Sequence, residues 1–342
     1  MSELATATGN SGEPLFEAFL NRHDENAWRE IVHTLLPSIH EVDRTATQIW
    51  FYFFPLALLR ALQQTDDAEQ FARKLSLSGS FLLKDQIDRS HEFLYGHRYW
   101  PQVKAAMSEL AASTNAPASL DLATQIRGVA ESVASRLKVD ASLVAGITAV
   151  AFMTLQQVGA AAFNSAPGTV RKLPDESPGQ ILKDRARDDK QPFFVSLFNP
   201  DKIFSIIFDE HDRRAQFKLI NTQHLTTAAA NDKRDHHSRD PRCVIGEGPI
   251  PVECRSAACG TCWVGVLAGR EKLSEVAALE WRKISEFGYI NTDEPRPLIR
   301  LACQAQAYGN VTIVIPPWNG VFGKLIRAQQ SASEAEQESP AI

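Results

Sequence analysis

Along residues 25–36 the apolar positions Trp28, Ile31, Val32 and Leu35 recur at helical spacing, with polar residues between them. The same period returns after Ser119, where Leu122, Ile126, Val129, Val133 and Leu137 form one stripe and Ser119 is the expected N-cap. Asp140 is placed to cap a further helix through LVAGITAVAFMTLQQVGAAAF at 143–163. Long stretches of alternating pattern are missing here. Residues 14–165 are therefore expected to form an all-α domain of five to seven helices, behind a flexible tail at 1–13.

The pattern then breaks. NSAPGTVRKLPDESPGQ (164–180) holds three prolines and two glycines, and KDRARDDK (183–190) is a charge run read as solvated surface. Residues 166–195 read as a linker with a short helical piece around Ile181. Beyond it the period changes to that of strands. KIFSIIFDEHDRRAQFKLI (202–220) predicts a hairpin turning at residues 210–213. A short helix at 222–235, a strand in WVGVLAG (263–269), a helix at 274–287 and a closing strand in NVTIVIPP (310–317) complete a mixed sheet crossed by a helix. The fold class is α+β in two domains, the second at 196–320, followed by a partly disordered tail at 321–342.

Two apolar runs invite a membrane reading. IWFYFFPLALLRAL (49–62) is too short and contains Pro55 and Arg60. The run at 143–163 is long enough, but it is rich in Ala and Thr and carries Gln156 and Gln157, which favours a buried core helix. No membrane span is expected, though peripheral association remains open. The N-terminus lacks the basic and apolar regions of a signal peptide, which points to the cytoplasm. A net charge of −5 does not suit a nucleic-acid binder.

Five cysteines in 342 residues are not a disulfide scaffold, but their placement carries chemistry. Cys254, Cys259 and Cys262 lie in CRSAACGTC, and Cys303 follows about forty residues later. The spacing C-x4-C-x2-C…C is the plant-type pattern for a [2Fe–2S] cluster. Ser256, Ala257, Ala258, Gly260 and Thr261 are small, so the backbone can approach a compact anionic group and direct N–H groups at its sulfurs. Zinc is a weaker alternative, because only one C-x2-C knuckle is present. A Rieske centre would need adjacent histidine ligands, and a dithiol at 259 and 262 would leave two cysteines unexplained.

IPVECRSAACGTC resembles the cluster loop of plant-type ferredoxins, and LSEVAALEWRKISEF…RLACQAQAYGNVTIVIP is more similar to the adrenodoxin-like branch. The resemblance covers about a third of the chain. It implies a β-grasp fold and Cys254, Cys259, Cys262 and Cys303 as ligands of a [2Fe–2S] cluster that passes one electron at a time. Ala257 departs from the glycine common there; a positive φ at that position would cost about 1 kcal/mol. The segment 236–250 is longer than usual and brings Cys243, His236 and His237 near the loop in sequence, with Cys243 read as a spectator. Arg255 is the loop's one charged side chain, expected at the docking face.

Residues 201–330 hold 17 Lys/Arg and 15 Asp/Glu, unlike an acidic shuttle. A fixed electron-transfer module is expected, with a redox protein partner and a helical domain that docks it or mediates an oligomer or complex. A redox enzyme with a second site, or a cluster-based sensor, are the alternatives. The candidates for a second site are Glu30 with His33 and Asp88 with His91, in Glu-x-x-His and Asp-x-x-His spacing. On a helical wheel Glu30 and His33 face solvent, while His91 lies nearer its helix's apolar edge and Asp88 does not, so the set reads as surface pairs and not a core site. His33 with His40 is interrupted by Pro37, and the aromatic HEFLYGHRYW (91–100) reads as packing.

Overall fold

The computed structural model describes residues 15–113, 121–187, 202–287, 294–323 and 325. The N-terminal tail, most of the C-terminal tail, Ser119 and residues 188–195 lie outside them. Among the described residues eight α-helices precede position 166: α1 (Leu15–Leu20), α2 (Glu25–Leu35), α3 (Glu41–Phe53), α4 (Leu56–Gln63), α5 (Ala68–Lys74), α6 (Trp100–Ala112), α7 (Leu122–Leu137) and α8 (Ser142–Ser165). That is more than expected. Pro55 splits the apolar run at 49–62 into α3 and α4, since it cannot donate to the preceding turn. The N-cap of α7 is Asp121 and not the expected Ser119; its carboxylate accepts from Thr124 N at 3.0 Å. Asp140 accepts from Ser142 N at 2.8 Å at the start of α8.

The helix α8 is the axis of this part. It packs against α1, α3, α6 and α7. By length and composition it could cross a membrane, yet most of its apolar window is buried inside the protein. Its two glutamines are used internally. Gln156 accepts from Trp28 Nε1 at 2.5 Å and donates to His23 O at 2.9 Å, and Gln157 donates to Phe54 O at 2.7 Å.

The expected linker carries α9 (Pro178–Arg185), capped by Ser177, with Ile181 buried. One member of its charge run is not solvated. Arg185 is half-buried, with its side chain 8% exposed, and forks onto Glu210 at 2.7 and 2.8 Å while donating to Val42 O at 2.6 Å. The planar guanidinium thus joins α3, α9 and the hairpin turn.

The C-terminal part is a five-stranded mixed sheet built from β2 (Ile203–Ile207), β3 (Gln216–Ile220), β4 (Trp263–Ala268), β5 (Ile299–Leu301) and β6 (Val311–Val314). Its order is β3-β2-β6-β4-β5, with β2 parallel to β6 and the other neighbours antiparallel. Two helices accompany it, α10 (Leu225–Ala229) and α11 (Ala278–Phe287), both shorter than the pattern predicts. Residues ahead of α11 are held instead by Ser274 N to Gln306 O at 2.9 Å and Val276 N to Pro295 O at 2.8 Å.

The helical part is not purely helical. A two-residue strand β1 (Ser78–Gly79) pairs antiparallel with β7 (Trp318–Asn319) at the end of the described chain. One continuous hydrophobic core runs through both parts. At its seam the Phe53 and Trp263 rings meet edge to face at 5.4 Å, and Trp318 packs on Trp263 at 5.2 Å. A side chain at Gly265 would put its Cβ 2.7 Å from Ile49 Cγ2, so glycine lets β4 approach α3. Phe322 is fully buried in the same core.

Candidate functional site: the four-thiol loop

The loop 254–262 hangs between the segment 236–253 and β4. Its backbone turns by alternating hand. Arg255, Ala257 and Gly260 have φ of 53°, 60° and 75°. The condition under which Ala257 pays the left-handed penalty is therefore met. Such alternation folds successive N–H groups into a concavity for an anion. Three donors converge on one sulfur: Cys254 Sγ accepts from Ser256 N at 3.4 Å, Ala258 N at 3.2 Å and Cys259 N at 3.3 Å. Burial opposes ionisation of Cys254, and the N–H groups of Ser256 and Cys259 outweigh it, bringing the thiol down to about 7.

The four thiols carry no disulfide and fall into two neighbouring pairs. Cys254 interacts with Cys259, and Cys262 with Cys303. The outer pair is half-buried and the inner pair buried. The interaction with Cys262 holds the Cys303 thiol low, and the same interaction together with burial pushes Cys262 up. Side chains add two donors: Thr261 Oγ1 to Cys259 Sγ at 2.9 Å, and Gln304 Nε2 to Cys303 Sγ at 3.5 Å.

Among the described residues no three His, Cys, Asp or Glu side chains gather closely enough for a single metal ion. Two thiol pairs with sulfur-directed donors suit a binuclear cluster better than one tetrahedral zinc. The donor set therefore fits the cluster that the spacing predicts.

Arg255 is not a lone charge beside the loop. It pairs with Glu247 and reaches Thr226 O at 3.4 Å. Cys243 stands apart from the four. It is buried, donates to Pro249 O at 3.3 Å, and burial with Asp240 nearby pushes its thiol up to about 11. His236 and His237 are engaged locally, with Asp232 at 3.0 Å and Cys243 O at 2.8 Å.

In the helical part Glu30 and His33 are exposed, as the wheel predicts. His40 caps α3, its Nδ1 accepting from Val42 N at 3.2 Å. Asp88 and His91 are a correction: they are not a surface pair on a helix. Both are buried, in a turn-rich stretch. Asp88 accepts from Trp100 Nε1 at 2.8 Å, Gly168 N at 2.8 Å and Thr169 N at 3.0 Å, which ties the linker to the core. His91 packs on Trp100 with ring centroids 4.1 Å apart and bonds His97 ring to ring, Nδ1 to Nδ1, at 2.9 Å. His97 Nε2 accepts from Arg171 N at 3.2 Å, so its Nδ1–H is the donor to His91.

Sequence reasoning missed Thr261 and Gln304 as sulfur donors, although both adjoin ligand-spaced cysteines. It also missed Asn319, whose Nδ2 donates to Thr261 O at 2.5 Å, because that contact spans 58 positions.

Residues 245–308 match the family model described as a 2Fe-2S iron-sulfur cluster binding domain. The match takes in Cys254, Cys259, Cys262 and Cys303 and leaves out Cys243. A [2Fe–2S] cluster is the cofactor of this region. No solved structure matches the chain.

Proposed function

We propose that this protein transfers single electrons to and from a redox protein partner, with Cys254, Cys259, Cys262 and Cys303 as the cluster's ligands. The [2Fe–2S] group supplies the one-electron couple when bound. The observation that carries the reading is the three-donor cradle on Cys254 Sγ beside a second, buried thiol pair. N–H groups aimed at sulfur stabilise negative charge there, which favours electron gain. The half-buried outer pair is the side from which a partner exchanges electrons, and the buried inner pair is kept from solvent.

The sheet order, with its parallel β2–β6 centre and flanking helices, supports a β-grasp, ferredoxin-like unit over 196–320. The helical part serves as a fixed docking or assembly body, a reading supported by the shared core and the near balance of charge in residues 201–330. A cluster held by four thiolates, with a fifth cysteine outside any disulfide, suits a reducing cytoplasm.

The test is metal and sulfide analysis with an absorption spectrum of the purified chain. Cys262→Ser is expected to lower iron content and alter the visible spectrum, whereas Cys243→Ser leaves both intact. Stoichiometric zinc without iron, from iron-replete cells, would overturn the reading.

A further inference from the structure

The matched residues end at 308, yet the chain goes on to touch the thiol loop again. After β6 the segment 316–321 crosses to the helical part and is sewn onto it. Ser80 N donates to Pro317 O at 2.8 Å, Val321 N to Leu75 O at 2.7 Å, and the Trp318 indole N–H to Phe53 O at 2.5 Å. The pairing of β1 with β7 completes the seam. Within this strap Asn319 is 3% exposed, too buried for an idle amide.

Both ends of that amide are used. Nδ2 donates to Thr261 O at 2.5 Å, and Oδ1 accepts from Arg242 Nη1 at 2.8 Å. Arg242 also donates through Nε to Asp240 Oδ1 at 2.9 Å and through Nη2 to Pro316 O at 2.7 Å. Thr261 lies between Cys259 and Cys262 and donates its hydroxyl to Cys259 Sγ at 2.9 Å. A relay thus runs Asp240–Arg242–Asn319–Thr261–Cys259. The ion pair at its far end is neutral in sum, but its cationic face points along the relay toward the thiols.

We infer that Asn319 and Arg242 are positioning residues for the cluster: by orienting the Thr261 peptide and hydroxyl they raise the reduction potential and make the helical part a component of the redox site. This rests on the electron-transfer reading above. Both residues lie outside the matched span, so the device belongs to this chain's additions and not to the common loop. The physical cause is charge and dipole. A cationic group and an aligned amide favour the more negative, reduced state of the bound group, and a rigid carrier avoids reorganisation on electron gain.

The experiment measures midpoint potential by spectroelectrochemistry, electron paramagnetic resonance of the reduced state, and iron per chain. The samples are the full chain and the variants Asn319→Asp, Arg242→Gln and Arg242→Lys. Asn319→Asp keeps the shape but sets a carboxylate against Thr261 O. Its reduced-to-oxidised ratio at fixed applied potential is expected to fall about tenfold, or about 59 mV for one electron. Arg242→Gln shifts the same way, and Arg242→Lys, which keeps the charge without the fork, shifts less. Arg234→Gln, whose arginine pairs with Asp232 away from the relay, is expected to leave the potential alone. If Asn319→Asp loses iron, the two Arg242 variants decide. Potentials and resonance spectra equal to wild type in the iron-replete variants overturn the relay alone. A wild-type chain with no cluster spectrum would overturn the electron-transfer reading and the relay with it.

Discussion

The buried pair Glu280–Arg300 offers the sharpest test of how the sheet holds Cys303. Arg300 on β5 is fully buried and Glu280 on α11 nearly so. The guanidinium forks onto the carboxylate, Nε to Oε1 at 2.8 Å and Nη2 to Oε2 at 2.9 Å. Leu301 N adds a bond to Oε1 at 3.0 Å, and Arg300 Nη1 donates to Ser274 O at 2.7 Å. Glu280→Gln keeps Oε1 as acceptor but turns an amide N–H2 toward Nη2, donor against donor. It also leaves the arginine's charge uncompensated in the core. Breaking one side of such a pair costs about 3–5 kcal/mol, a large share of a total stability of about 5–15 kcal/mol. At a urea slope of about 3 kcal/mol/M the unfolding midpoint should fall by more than about 1 M. Removing both charges with Glu280→Leu/Arg300→Leu abolishes the unpaired charge and strands only Leu301 N and Ser274 O, at about 1–3 kcal/mol each. The double variant is therefore expected to be about as stable as the single one, or more so. Urea titrations followed by circular dichroism on all three chains are the assay. A Glu280→Gln midpoint at the wild-type value, or a double variant clearly less stable than Glu280→Gln, would refute the reasoning.

Two further outcomes are expected. Lys138 ends α7 exposed at φ 58°, so Lys138→Gly should stabilise by about 1 kcal/mol, whereas Ala257→Gly should change little because relief of its positive φ is offset by about 0.8 kcal/mol for a buried methyl; denaturant midpoints that move equally would contradict the burial of Ala257. Burial lowers the His97 imidazole to about 4, so the unfolded chain takes up its proton first, and this contribution is complete above about 6.5 and lost towards about 4, at up to about 1.4 kcal/mol per pH unit. Asp43, raised to about 6 by burial, acts in the opposite sense, so the quantity to measure is the wild-type minus His97→Gln stability difference between pH 7 and 4, and a flat difference would show that His97 does not titrate differently on unfolding.

The site was more legible in the sequence than the fold that carries it. Cys254, Cys259 and Cys262 lie within one loop, and small residues around them disclose how closely the backbone must approach. Local stripes such as Trp28, Val32 and Leu35 likewise report a buried face, because helix period is a property of neighbours. What stayed hidden depends on distant partners. Asp88 looks like a polar residue off an apolar stripe until Trp100, Gly168 and Thr169 supply its three donors. Arg185 sits in a charge run that reads as solvent-facing, and the hairpin's Glu210 and the carbonyl of Val42 offset its partial burial. Two-residue strands such as β1 carry no alternation to detect, so its pairing with β7 leaves no mark in either segment.

These hidden partners share a location. Arg185–Glu210, Arg171–Asp209 at 2.6 Å, Trp318 on Phe53 and Gly265 against Ile49 all join residues before position 186 to residues after 201. A tether between free modules would need none of them, since a flexible linker gives high local concentration by itself. Buried aromatics and a part-buried fork instead fix orientation, and on the proposed reading orientation sets which face of the thiol loop a partner can reach. The half-buried pair Cys254 and Cys259 stays at the surface while Cys262 and Cys303 are covered. On the proposed electron-transfer reading, fixed orientation takes the place of steering by net charge, in accord with 17 basic and 15 acidic residues over 201–330.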